Sequence, residues 1–204
     1  GGINTAGNIT TTADSVSFYS PTTLTGNVAI NTAGADITFG GTLDGAKDLT
    51  LNAGTAGNIT LTGAAGGTTR LGSLTISNAK NLTAGAISAA AITQQAGSGT
   101  STFNGALNTN TAAGISLTGT NLTLNNALTT TNNGTVTVNQ SGIASLTPAA
   151  TISSDGAVAL TANGGINTAG NITTTADSVS FYSPTTLTGN VAINTAGADI
   201  TFGG

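Results

Sequence analysis

Apolar and polar residues alternate along this chain in short bursts of three. Val16-Ser17-Phe18, Val28-Ala29-Ile30, Ile37-Thr38-Phe39, Leu49-Thr50-Leu51 and Ile59-Thr60-Leu61 set the pattern. It continues through Leu74-Thr75-Ile76, Ile115-Ser116-Leu117, Leu122-Thr123-Leu124, Val136-Thr137-Val138 and Val158-Ala159-Leu160. A period of two puts Ile, Leu and Val on one side of an extended strand and Thr or Ser on the other. Gly and Asn punctuate the bursts, as in Ala6-Gly7-Asn8 and Ala56-Gly57-Asn58, and both accept turn conformations. Gly, Thr and Asn are poor helix formers, so the pattern predicts strands throughout.

The bursts also keep a longer beat. One series runs Val28, Leu49, Leu71, Ile92, Ile115, Val136, Val158, with nearly even steps. A second runs Val16, Ile37, Ile59, Leu82, Phe103, Leu124, Ile143, with a slightly wider spread of steps. A looser third takes in Leu24, Leu43, Ala64, Ile87, Leu107, Leu128 and Ala149. Three apolar columns, each recurring about every 20–22 residues, predict an all-β fold, a parallel β-helix (solenoid) with three short strands per turn. Each strand would pair with its equivalents one turn above and below, roughly 4.8 Å away, so that like residues stack on like. Aliphatic stripes then fill a narrow interior, and Phe18 over Phe39 makes an internal aromatic stack.

Residues 1–41 reappear letter for letter as residues 164–204. The chain therefore divides into one full repeat unit, 1–163, and the first quarter of the next identical unit, 164–204. Tandem duplication of coding sequence explains the identity, as would an engineered duplication. Both make the chain a slice of an array. The junction breaks the beat, because the interval from Val158 to Val191, the copy of Val28, is too long for one turn and too short for two. Either two turns fit there with one shortened, giving roughly eight turns and about 38 Å per unit, or the columns shift by one face.

Composition narrows the chemistry. Only 5% of the 204 residues are charged: Lys47, Arg70, Lys80 and seven Asp, for a net charge of −4. There is no His and no Cys, so the usual zinc ligands, an imidazole base and a thiol nucleophile are missing. No cofactor, no metal and no enzymatic activity are expected. Three cations cannot neutralise a phosphate track, so no nucleic-acid partner is expected. The weakly polar stretch 86–92 is too short to span a bilayer, and no membrane insertion is expected. No basic-then-apolar leader opens the chain, which places any export signal outside it. The 38% apolar content and low net charge argue against disorder. Charges repeated at each turn would meet their own kind, so a stacked coil favours the charge-poor surface seen here.

Several segments carry a family resemblance. Gly-Asn-Ile-Thr at 7–10 and 57–60, Asn-Leu-Thr-Leu-Asn at 121–125 and Gly-Ala-Val-Ala-Leu-Thr-Ala at 156–162 resemble the repeats of filamentous haemagglutinin-type adhesins. These are large exoproteins of Gram-negative two-partner secretion systems. The resemblance extends over essentially the whole chain and lies in repeat style and length. It implies a right-handed coil, passage through an outer-membrane partner, and an extracellular or bacterial cell-surface location. The role it implies is a rigid structural repeat of a fibrous adhesin or biofilm filament, built by end-to-end stacking. Its partners would be neighbouring identical repeats, with host or matrix glycans as candidate ligands. No catalytic residue carries over.

The alternative function is a ligand-binding β-helix. Ser17, Thr38, Thr60, Thr83 and Thr123 form an outward column that could face a glycan or ice, although Gly40, Gly85 and Asn125 interrupt its Thr-x-Thr pairs. Asp36, Asn58, Asn81 and Asn121 precede the second series and read as a hydrogen-bonded turn column in preference to a ligand strip. Asp44 and Asp48 beside Lys47 read as a solvated turn in preference to a cation site. No Gly-Gly-x-Gly-x-Asp calcium repeat occurs, and no carboxylate pair of the kind polysaccharide-cleaving β-helices need.

Overall fold

The computed structural model describes residues 1–204 as a β-solenoid of about ten turns, with 27 strands and no helix. Ten turns at strand spacing give a rod about 48 Å long. Each of the ten apolar-polar-apolar triplets lies on a strand, and the strands pair in parallel with those one turn away. Short strands hold because their side chains stack as well as their backbones. A cluster of 42 buried apolar residues runs down the axis.

Three faces make up each turn. The first carries Ile9–Thr10, Val28–Asn31, Leu49–Asn52 and their successors up to Ile200–Phe202. The second is a 9-stranded sheet from Val16–Phe18 to Thr185–Leu187. The third starts at Ile3–Thr5 and ends at Ile193–Asn194, with Ala65 bridging Leu43 to Ile87. Leu71–Asn78 and Ile87–Gln94 run through the corner between the third and first faces and join them into one 15-stranded sheet. Phe18 lies on Phe39 with ring centroids 4.7 Å apart and planes 2° from parallel, as the columns predict.

Some residues of each predicted series stand outside its column. On the first face Val28 pairs with Leu49, and Ile92, Ile115, Val136 and Val158 follow in register. The residue between Leu49 and Ile92 is Leu74, not Leu71; Leu71 pairs with Ala89 in the adjoining column. The corner at 64–70 lengthens the step from Leu49 to Leu74, and a short step from Leu74 to Ile92 compensates, so the series through Leu71 looks even while standing out of register. On the second face Val16, Ile37, Ile59 and Leu82 stack as predicted, but Ser101 comes next. Phe103 pairs with Ala84 and Leu124, two positions along, in the column begun by Phe18 and Phe39. Ile143 points outward at 43% exposure, and its neighbour Ala144 takes the inner position. On the third face Leu43, Ile87, Leu107 and Leu128 are in register, while Ala65 and Ile152 replace Ala64 and Ala149, and Leu24 lies two positions beyond the column at Thr22.

The junction takes the second of the two arrangements: the columns shift by one face. Val16 lies on the second face, whereas its copy Val179 pairs with Val158 on the first. Ile3 lies on the third face, and its copy Ile166 pairs with Ala144 on the second. Within each copy the pairing is the same, Ile3 with Thr22 and Ile166 with Thr185, Val16 with Ile37 and Val179 with Ile200. Corner geometry repeats too, with φ of 67° at both Ala13 and Ala176, and 50° and 51° at Ala33 and Ala196. Length explains the choice. Unshifted columns would set Ile172, the copy of Ile9, directly on Leu160, and that interval is too short for three strands and three corners. Leu160 instead pairs with Phe181, an ordinary turn further on.

Candidate functional site

The second face carries the most regular outer surface. Most of its strands alternate inward apolar and outward hydroxyl residues, so register alone aligns the outward ones. Ser17, Thr38, Thr60 and Thr83 stack directly, as the sequence predicts, and Thr102 fills the rung before Thr123. Ser145 completes seven rungs, about 29 Å of continuous hydroxyl column. Asn167, the copy of Asn4, ends it. Thr102 is legible in principle, since it sits between Ser101 and Phe103 in a strand that the apolar series enters two positions out of step.

Beside the hydroxyl column runs the polar ladder of Asp36, Asn58, Asn81 and Asn121. Its side chains tie successive turns together. Asp36 Oδ1 accepts from the Asn58 backbone N–H at 2.7 Å and from Asn58 Nδ2 at 3.1 Å. Asn58 Oδ1 accepts from Asn81 Nδ2 at 3.0 Å, and Asn81 Oδ1 from the Thr100 N–H at 3.0 Å. Thr100 is the rung between Asn81 and Asn121, and Asn121 Oδ1 accepts from the Ile143 N–H at 3.0 Å. These oxygens cap N–H groups at the corner where each turn enters the face.

The acids beside Lys47 are engaged in the same way. Asp44 Oδ1 accepts from the N–H groups of Thr68 and Thr69 at 2.8 and 3.0 Å. Asp48 Oδ1 accepts from the Ser73 N–H at 2.7 Å, and the Asp48 backbone N–H donates to Asn27 Oδ1 at 3.0 Å. No group of three or more acidic, His or Cys side chains converges, and the surface is without pockets. Arg70 lies along the rod, donating from one guanidinium nitrogen to the carbonyls of Ala89 and Asn108 at 2.9 Å each.

The interior is partly polar, which the apolar columns alone do not announce. Thr109, Thr130, Ser154 and Thr174 form a buried hydroxyl column on the third face, with Thr130 and Ser154 Oγ atoms 3.0 Å apart. A signal for it lies in the period-two pattern. Leu107-x-Thr109, Leu128-x-Thr130, Ile152-x-Ser154 and Ile172-x-Thr174 each place the hydroxyl two positions from an inward aliphatic. Gln94 and Gln140 are buried as well, donating to Ser101 Oγ at 2.7 Å and to the Leu117 carbonyl at 2.8 Å.

The surface thus offers a flat hydroxyl strip and an amide ladder, whose chemistry is hydrogen bonding between turns and with whatever lies against the strip. No protein family model, curated protein or solved structure matches the chain.

Proposed function

We propose that this chain is a structural repeat module, a rigid rod segment of a large extracellular filament of the fibrous-adhesin or biofilm-matrix kind. It is non-enzymatic and extended by stacking of identical units. One observation carries this reading: the second copy pairs internally as the first does, Ile166 with Thr185 and Val179 with Ile200 as Ile3 with Thr22 and Val16 with Ile37, and it continues the same coil through Ala144–Ile166 and Val158–Val179. Ile37 and Phe39 are 0% and 2% exposed, while the identical Ile200 and Phe202 are 45% and 57% exposed. The two pairs differ in what lies above them: Ile59–Leu61 covers the first pair, and nothing covers the second. A following unit in the same order would cover Ile200 and Phe202 in the same way. The segments resembling haemagglutinin-type repeats support the cell-surface location.

Solution X-ray scattering on chains of one, two and three units tests the rod. Length should grow by about 37 Å per added unit at strand spacing, with a constant cross-section. Growth of the cross-section instead would end the reading. The location is tested by antibody labelling of intact cells, where staining only after lysis would contradict it.

A second reading, glycan or ice binding, draws on the unbroken seven-rung column from Ser17 to Ser145. Its expected outcome is retention on a polysaccharide column that Thr60→Lys abolishes, the lysine breaking the strip at its third rung. Equal retention of parent and variant would remove it.

A further inference from the structure

The shift at the junction has a consequence for the whole rod, and that consequence rests on the tandem-rod reading. On the third face Ile3 is followed by Thr22, Leu43, Ala65, Ile87, Leu107, Leu128, Ile152 and Ile172, eight full turns. Ile166, the copy of Ile3, lies on the second face, one face before Ile172. One unit therefore makes seven turns and two further faces. We infer that each unit is turned by one face, a third of a turn, relative to the unit before it, so that the rod regains its starting orientation only after three units.

Three units make 23 whole turns, about 110 Å at strand spacing, against about 37 Å for one unit. The features of a unit then wind around the rod. The hydroxyl column that starts at Ser17 occupies the second face of the first unit and stops at Asn167, where the next unit begins. Its counterpart restarts at Ser180 on the first face, beside Ala159 and under Thr201. By the same step the third unit would begin its column on the third face, and the fourth would return to the second. Tyr19 follows the same course: its copy Tyr182 is displaced by one face, and both are exposed.

This geometry decides what kinds of partner the rod can take. A ligand that fits within one unit, about 37 Å long, is offered an equivalent site in three directions in turn. On the first face the restarted column prolongs a strip that the first unit already lays down, Thr50, Thr75, Thr93, Ser116 and Thr137, broken only at Ala159 before Ser180 and Thr201.

Labelling tests the inference directly, because the chain contains no Cys. A chain of four consecutive units carries Ser17→Cys in each unit, coupled to thiol-reactive gold and imaged by electron tomography. The expected labels advance about 37 Å at a time and lie on three lines a third of a turn apart, with the fourth returning to the line of the first. Labels along a single line on a straight rod would overturn the rotation and leave the rod standing. A compact particle would overturn the rod and the rotation together. A second measurement uses the 204-residue chain itself. Ala159 and Ser180 are Cα partners on adjacent strands, within disulfide reach, so A159C/S180C should close on oxidation while S145C/S180C stays reduced. The opposite result would overturn the shift.

Discussion

Corner residues set how tightly one turn can lie on the next. Gly114 has φ of +59°, and a Cβ there would stand 2.1 Å from the Thr135 carbonyl oxygen and 2.5 Å from its nitrogen, both one turn above. The left-handed conformation alone is not decisive, since Ala33 and Ala196 hold φ of 50° and 51°. Backbone contact is what excludes a side chain. Gly114→Ala should therefore destabilise the rod by about 1–3 kcal/mol, read as a lower urea midpoint. Ala33→Gly should change stability by about 1 kcal/mol or less, because relief of its strain offsets the added freedom of the unfolded chain. Asp155 supplies a pH-dependent contact of the same local kind. The Thr175 hydroxyl donates to it at 2.6 Å and the Asn133 N–H at 2.9 Å, and these bonds hold its pKa below the ordinary carboxylate value. A pKa lower in the folded than in the unfolded chain stabilises fully above the unfolded value, about pH 4, and the gain is lost as pH falls through the folded one. Asp155→Asn should lower the melting temperature at pH 7, with the gap to the parent closing as pH falls below about 4. A gap that widened in acid would contradict the assignment.

At the scale of the strand and the turn, period-two alternation makes the inner and outer faces legible, and the longer beat makes the coil legible. Register is harder, for a physical reason. A slip of two, as at Phe103 and Leu124, keeps an apolar residue pointing inward and leaves no trace in the hydrophobic pattern. The slip at Leu71 is hidden differently, by a long corner compensated in the next turn. The inner hydroxyl column at Thr109 and Thr130 escapes a reading that takes every Thr as outward. The outer column is legible because its rungs each sit between two inward residues. What a turn contributes can be measured where the sequence supplies its own control. Phe39 is stacked between Phe18 and Leu61, while Phe202 stacks on Phe181 at 4.6 Å with its other side open. Phe39→Ala should cost about 3–5 kcal/mol, the range for emptying a buried aromatic site. Phe202→Ala, with the same preceding sequence, should cost about 1 kcal/mol or less, since a ring already more than half exposed loses less burial and the end turn frays. Equal losses in urea melts of the two variants would mean that the turn above contributes nothing.

In the 204-residue chain, the two ends of the coil differ from its sides in the interactions they leave unmade. Along the sides the N–H and C=O groups are paired within the sheets, and the outward residues are mostly Thr, Ser and Asn. At the upper end Thr185–Leu187, Ile193–Asn194 and Ile200–Phe202 each lack a strand above, and Leu187, Ile200 and Phe202 are exposed apolar side chains. At the lower end Ile3, Ile9 and Val16 are only partly covered. Both ends offer unpaired edges beside apolar surface, the combination that promotes strand addition. A net charge of −4 spread over the rod provides little repulsion against it. The 204-residue chain should therefore associate end to end as its concentration rises, giving species that lengthen without thickening. Phe202→Lys places a charge in the contact and should raise the concentration needed for association by about tenfold, the equivalent of roughly 1.4 kcal/mol. Thr60→Lys, on a side face away from both ends, should leave it unchanged. Sedimentation velocity on the parent and the two variants separates the cases: a response to Thr60→Lys and none to Phe202→Lys would place the contact on the faces and remove the ends as the site of growth.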